Sequence, residues 1–103
     1  MNIGPSISVL VPVFNEEENI YPLAQEIGSA LKGICNYEII FVNDCSTDDT
    51  GITLTKLKNE ISEIRVIHHS QRSGQSAGLR TGIFAAKNNI IVCLLYTSDA
   101  ADE

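Results

Sequence analysis

An apolar run that stops abruptly on two short polar residues constrains this chain more than any other feature. Ile39 to Val42 is followed by Asn43-Asp44 and then by Cys45-Ser46-Thr47-Asp48-Asp49-Thr50. A β-branched and aromatic run bounded in this way predicts a buried strand. Ser46 or Thr47 offers a helix N-cap, and Asp48 and Asp49 would fall in the first turn, where carboxylates suit the helix dipole. Asn43 and Asp44 are therefore expected at the carboxyl end of a strand, at a strand-to-helix turn. In open α/β sheets that is the edge where ligands bind. Taken alone, Asp44 supports two readings, a ligand contact or a turn cap.

The same pattern recurs along the chain. Ile7 to Val13 is almost unbroken apolar sequence and reads as a strand buried on both faces, as in parallel sheets. Pro12 cannot donate to a ladder and belongs at the strand's end. After the turn Phe14-Asn15-Glu16-Glu17-Glu18-Asn19, a helix is expected to start near Asn19, because Pro22 is tolerated only in a first turn. Ile20, Leu23, Ala24, Ile27, Leu31 and Ile34 repeat with helical period, and Gly33 supplies a stop. A second helix is expected from about Thr47 to Glu60, with Leu54, Leu57 and Ile61 facing inward. Ile64 to His68 reads as a third strand. Ser73 can cap a third helix reaching about Lys87, which Asn88-Asn89 breaks, and Ile90-Ile91-Val92 opens a fourth strand.

This β-α-β-α-β-α-β alternation predicts a doubly wound α/β fold on a mostly parallel sheet with right-handed crossovers. The expected spatial order is 3-2-1-4, with the ligand crevice beside strand one, where the chain reverses direction across the sheet.

The totals exclude several function classes. One hundred and three residues make one domain at most. A hydrophobic share of 44% and a charged share of 19% exclude a disordered chain. A net charge of −6 offers no basic footprint for nucleic acid or anionic lipid. Cys35, Cys45 and Cys93 are odd in number and far apart, with no C-x-x-C pair, and fit a reduced, cytoplasmic chain with buried or inert thiols. No run approaches the roughly 18 apolar residues of a membrane span, and no basic segment followed by an apolar core marks a signal peptide.

The turns restrict the ligand. Pyrophosphate resting on bare backbone needs a glycine-rich first β-α turn. Here that turn has no glycine and three carboxylates, and no P-loop is present. Carboxylates at strand ends suit donors instead, such as ribose hydroxyls and the N–H edge of a base. A diphosphate would need neutralising elsewhere, by a metal or by arginines. Arg72, just before the third helix, could reach a diphosphate, and Arg80 less directly; a solvated surface arginine is the plain reading of each. Gly74, Gly78 and Gly82 lie four apart, the spacing of a smooth helix face packed on the sheet rather than of a phosphate loop. His68 and His69 have no second ligand cluster nearby and read as structural or exposed.

Three stretches carry a resemblance: Val-Pro-Val-Phe-Asn-Glu-Glu-Glu-Asn-Ile from Val11, Glu-Ile-Ile-Phe-Val-Asn-Asp-Cys-Ser-Thr-Asp-Asp-Thr from Glu38, and Ser-Gln-Arg-Ser-Gly-Gln-Ser-Ala-Gly-Leu-Arg-Thr-Gly from Ser70. From Ile7 to Val92 the chain resembles glycosyltransferase family 2, and within it the dolichyl-phosphate mannosyltransferases and their bacterial polyprenyl-phosphate relatives. The resemblance implies a Rossmann-like GT-A fold. It also implies sugar transfer from a nucleotide-diphosphate donor, with Mg²⁺ or Mn²⁺ in the complete enzyme, to an acceptor such as a polyprenyl phosphate at the cytoplasmic face of a membrane. By position it assigns Pro12, Phe14, Glu16, Val42 and Asp44 to the nucleotide pocket, with Phe14 in the place of a frequent tyrosine. Asn43 stands where aspartate is commoner and Gln75 where many relatives have lysine, so a phosphate contact from position 75 is not expected.

After its fourth strand the family places an Asp-x-Asp motif for metal and diphosphate. Here Cys-Leu-Leu-Tyr-Thr-Ser-Asp-Ala-Ala-Asp-Glu follows instead. Asp99 and Asp102 are three apart rather than two and come late, so no metal site is assigned to them. Residues 93–103 resemble the in-frame translation of a sequencing-library adapter and are read as a non-native tail on an N-terminal fragment, residues 1–92. Three of the thirteen acidic residues lie in this tail, leaving ten acids against seven bases. No catalytic residue is assigned, and the chain as it stands is expected to be inactive. The alternative from another class is a non-catalytic flavodoxin-like or receiver-type binding domain. Glu16 to Glu18 partly fit a receiver's acidic cluster, but no lysine follows strand four.

Overall fold

The computed structural model describes residues 5–95. Its elements run β1 (Ser6–Val13), α1 (Ile20–Leu31), β2 (Asn36–Asn43), α2 (Thr50–Glu60), β3 (Ile64–His68), α3 (Gln75–Ala85) and β4 (Ile90–Cys93). The strands form one sheet in the order β3-β2-β1-β4, and every pairing is parallel. The expected fold and strand order are therefore those observed.

Strand alternation divides the core in two. Val9, Val11, Val13, Ile39 and Phe41 meet Ile20, Ala24 and Ile27 of α1 and Leu54 and Leu57 of α2. On the other face Leu10, Ile40 and Val42 pack with Ile67, Ala85 and Ala86. That second face is thin, and α3 approaches it closely because its contact surface is glycine. A Cβ added to Gly78 would lie 2.9 Å from the Pro12 Cβ, and one added to Gly82 would lie 3.1 Å from both methyls of Leu10. The close-packing reading of these two glycines holds, whereas Gly74 precedes the helix.

Pro12 is the penultimate residue of β1. The Leu10 carbonyl accepts from Leu94 N at 2.9 Å, so Leu10, and Pro12 two residues on, turn their backbone toward β4. β4 pairs only as far as Leu10, so the missing N–H of Pro12 costs no ladder bond.

Three expectations are corrected. Ile34 lies beyond the end of α1, past Gly33 with its φ of 81°, and is 65% exposed. α2 begins at Thr50 rather than Thr47, because residues 44–49 are held as a loop by acceptors from the β1–α1 turn, described below. α3 runs from Gln75 to Ala85 rather than from Ser73 to Lys87. At its start the Ser73 and Gly74 N–H groups bond Asp44, and the Ser73 hydroxyl bonds the Gln71 carbonyl instead of capping. Beyond its end Lys87 N donates to the buried Glu38 carboxylate at 2.7 Å.

Glu38 also accepts from the Ser8 hydroxyl at 2.6 Å and pairs with Arg65 at 2.8 Å. Burial works to raise its pKa, but the bonds from Lys87, Ser8 and Arg65 outweigh that and hold it below the usual carboxylate value. β4 forms an edge with all four residues exposed, and Ile83, Phe84 and Leu95 are exposed as well.

Candidate functional site

Three turns meet at the carboxyl ends of β1, β2 and β3. Asn15 knits the first two together. Its left-handed φ of 54° suits a residue that tolerates this region better than most. Its Oδ1 accepts from the Thr47 N–H at 2.8 Å and the Asp48 N–H at 3.3 Å, while its own N–H donates to Ser46 Oγ at 3.0 Å. The Glu16 N–H adds a bond to Thr50 Oγ1 at 2.9 Å, and Glu17 accepts from the Asp49 N–H at 3.1 Å. These acceptors come from thirty residues away in sequence, which is why the local capping signals at Ser46 and Thr47 misplace the start of α2.

Asn43 has a specific reason to be an amide. Its Oδ1 accepts from the Ser46 N–H and hydroxyl, at 3.1 and 2.6 Å, while its Nδ2 donates to His68 Nδ1 at 3.1 Å. A carboxylate there could only accept, so it would need the Nδ1–H form of the imidazole instead.

Asp44 is the centre of the third connection. It is 5% exposed. Its Oδ1 accepts from His69 Nδ1 at 2.9 Å and Ser73 N–H at 2.8 Å, and its Oδ2 from Gly74 N–H at 2.9 Å, with Arg72 Nε at 3.4 Å. Burial alone would raise the Asp44 pKa; the bonds from His69, Ser73 and Gly74 more than reverse this and hold it below the usual value. Gly74 takes φ 93° here, a conformation that suits glycine, so that its N–H can reach the carboxylate. The Arg72 guanidinium then lies 3.5 Å from the centroid of the Phe14 ring, a cation–π contact at the carboxyl edge of the sheet.

Of the residues assigned from sequence, Arg72 is thus brought into contact with both Phe14 and Asp44. Glu16 is buried behind them, with Asn19 Nδ2 donating to its Oε1 at 2.9 Å. Pro12 and Val42 face α3 beneath the site: Val42 is fully buried and Pro12 lies under Gly78. Asn15 and His69 were not singled out from sequence as site residues. The only local signal for Asn15 is an asparagine placed just after a strand, where a left-handed turn residue is needed. Arg80 is exposed, and Asp99 and Asp102 lie outside the described residues.

The family resemblance implies a divalent ion, but the donor set here does not fit one. Among the described residues no group of three or more His, Cys, Asp or Glu side chains could hold a metal ion. The Asp44 oxygens face N–H donors, which a cation would repel. No helix among these residues is long and apolar enough to cross a membrane.

The chain is 33% identical over 95 residues to a dolichol-phosphate mannosyltransferase of Mycosarcoma maydis, covering 87% of this chain and 32% of that protein. It is 31% identical over 90 residues to a dodecaprenyl-phosphate galacturonate synthase of Rhizobium johnstonii, covering 85% of this chain and 27% of that protein. It therefore spans about a third or less of the length of these relatives. Its fold matches, with a TM-score of 0.77 at 22% identity, a mannosyltransferase of Pyrobaculum calidifontis solved with GDP-Man and Mn²⁺, covering 86% of this chain and 26% of that one. The fold is thus the GT-A type that the resemblance implies, and these relationships set aside the flavodoxin-like and receiver alternatives. The model of glycosyl transferase family 2 matches residues 8–95, from the first core strand to just past the fourth, and the chain belongs to that family.

Proposed function

We propose that this chain is the nucleotide-binding part of an enzyme that transfers a sugar from a nucleotide-diphosphate donor to a polyprenyl phosphate at the cytoplasmic face of a membrane. The observation that carries the reading is the convergence of Phe14, Asp44 and Arg72 at the carboxyl edge of a parallel sheet. In this reading the Phe14 ring packs beside the base, the Asp44 carboxylate takes an N–H or O–H donor of the base or ribose, and Arg72 swings from Phe14 to the diphosphate. The exposed cation–π contact and the long ion pair it would give up are each worth about 1 kcal/mol or less, so the exchange is cheap. Pro12 and Val42 shape the floor, and Glu16 braces the first turn. The names of the two curated relatives, one built on dolichol phosphate and one on dodecaprenyl phosphate, support a polyprenyl-phosphate acceptor. Such an acceptor is already ionised and needs little help from a general base.

A divalent ion, Mg²⁺ or Mn²⁺, enters this reading only through residues beyond those described. Residues 93–103 belong to it as a non-native tail in place of the family's metal-binding motif.

The test compares the 103-residue chain with one continued from the genomic sequence after Val92. The longer chain should release nucleotide diphosphate from a cognate sugar donor in the presence of Mg²⁺ or Mn²⁺ and a polyprenyl phosphate. Asp44→Ala in it should weaken nucleotide binding by roughly 1.5–3 kcal/mol, the range for a hydrogen bond to a charged group. A longer chain that binds no nucleotide diphosphate would sink the proposal, and unchanged affinity in Asp44→Ala would leave Asp44 as a turn anchor only.

A further inference from the structure

Asp44 has little acceptor capacity left for a ligand. A carboxylate offers about four lone-pair sites. His69 Nδ1 and the Ser73 N–H use both on Oδ1, and the Gly74 N–H uses one on Oδ2, where Arg72 Nε also stands at 3.4 Å until a ligand draws it away. The Asp44 carboxylate is thus an internal anchor as well as a candidate ligand contact, and what orients it is His69. This imidazole closes a chain of bonds between two elements: Nδ1 donates to Asp44 at 2.9 Å, and Nε2 pairs with the Thr81 hydroxyl of α3 at 2.8 Å. Its own N–H bonds the Asn43 carbonyl at 2.9 Å, extending β2–β3 pairing one residue past β3. The His69 side chain is 14% exposed, and the ionisable groups beside it and its acceptor are Asp44 and Arg72.

We propose that His69 is the positioning residue of this site: held between Asp44 and Thr81, it turns the Asp44 carboxylate toward the Ser73 and Gly74 N–H groups and so sets the 70–74 loop that carries Arg72. Two consequences follow. Oδ1 is saturated, so Asp44 accepts one further donor, through Oδ2, and cannot clasp a base edge that presents two adjacent N–H donors. Arg72 owes its place over Phe14 to a loop fastened to Asp44 at both ends, through His69 before it and through Ser73 and Gly74 at its close. The bearing on the donor rests on the functional reading above; the clasp itself does not.

The clasp is read without any nucleotide, by amide hydrogen exchange and ¹⁵N ring spectra of the 103-residue chain. In the unaltered chain the His69 ring should donate through Nδ1, and the Ser73 and Gly74 amides should be protected. His69→Ala should reduce their protection roughly three- to tenfold, the loss expected for one hydrogen bond. The β2 core amides of Ile39 to Val42 should be unaffected. Should His69→Ala not fold, Thr81→Val breaks only the far bond and should loosen the same two amides to a lesser degree, while His69→Asn, whose Nδ2 can stand in for Nδ1, should restore most of the protection. The functional arm titrates UDP and GDP against the chain continued after Val92: His69→Ala should weaken the cognate nucleotide, and His69→Asn should recover it. Loop amides unmoved in a folded His69→Ala, or moved equally by His69→Asn, overturn the proposal. Loosened amides in a series where no form binds nucleotide uphold the clasp and sink the functional reading instead.

Discussion

Gly78 rests on Pro12 so closely that a single added carbon would come within 2.9 Å of the proline Cβ. The Pro12 ring cannot rotate away, and it sits in a strand whose neighbours are fully buried. Gly78→Ala should therefore destabilise the chain by about 1–3 kcal/mol through overpacking, less up to about 1 kcal/mol from the better helix propensity of alanine. Gly82→Ala meets only the movable methyls of Leu10 and should cost less. Urea midpoints of the two variants check the order, and a Gly78→Ala chain as stable as the parent would show that α3 does not bear on Pro12.

The Phe14 ring gives one face to Arg72 and stands only partly buried at the head of the first turn. Phe14→Ala in the longer chain should raise the apparent donor constant, and Phe14→Tyr should be nearly silent. Steady-state kinetics separate the two. A tyrosine variant as damaged as the alanine one would make Phe14 a packing residue rather than a base contact.

Two buried carboxylates set the acid limit of the fold. Asp44 and Glu38 both have folded-state pKa values below their ordinary 3.8 and 4.5. A lowered value means that the folded form binds its proton less readily than the unfolded form. The stability each contributes is complete above the ordinary value and is lost as pH falls through the lowered one. Unfolding followed from pH 7 to pH 2 should show a decline beginning near pH 5. Asp44→Asn and Glu38→Gln should each start from lower stability at pH 7 and show a shallower decline. A parent whose stability is flat across that range would contradict the two networks.

The chain as it stands is expected to transfer no sugar. Both of the first two turns are acidic, and no metal-holding cluster exists among the described residues. β4 also presents an exposed apolar edge, Ile90 to Val92, which invites edge-to-edge association. Assay against a panel of nucleotide sugars, with light scattering alongside, should show no turnover and a tendency to aggregate. Metal-dependent turnover abolished by changing Asp99 or Asp102 would make the tail a genuine site.

The strands, their order and the edge that carries the site were legible from local pattern alone. Val9 to Val13 and Ile39 to Val42 are continuous apolar runs because both faces of a parallel sheet are covered, and Asn43-Asp44 ends the second run because the side chains there take polar partners from the adjoining turns instead of packing in the apolar core. Helix limits were less legible. α2 starts at Thr50 because Asn15 takes the Thr47 and Asp48 N–H groups, and α3 begins only after Ser73 and Gly74, whose N–H groups bond Asp44. No local propensity encodes an acceptor thirty residues away.

Periodicity and strand-end chemistry by themselves determined a parallel α/β sheet with a carboxylate at its carboxyl edge, since hydrophobic burial and turn stereochemistry act over a few residues. Only the tertiary structure decided what that carboxylate does. Folding brings His69, Ser73 and Gly74 onto Asp44 and lays Arg72 on Phe14, because a buried charge must be satisfied by whatever donors the packed sheet delivers to it.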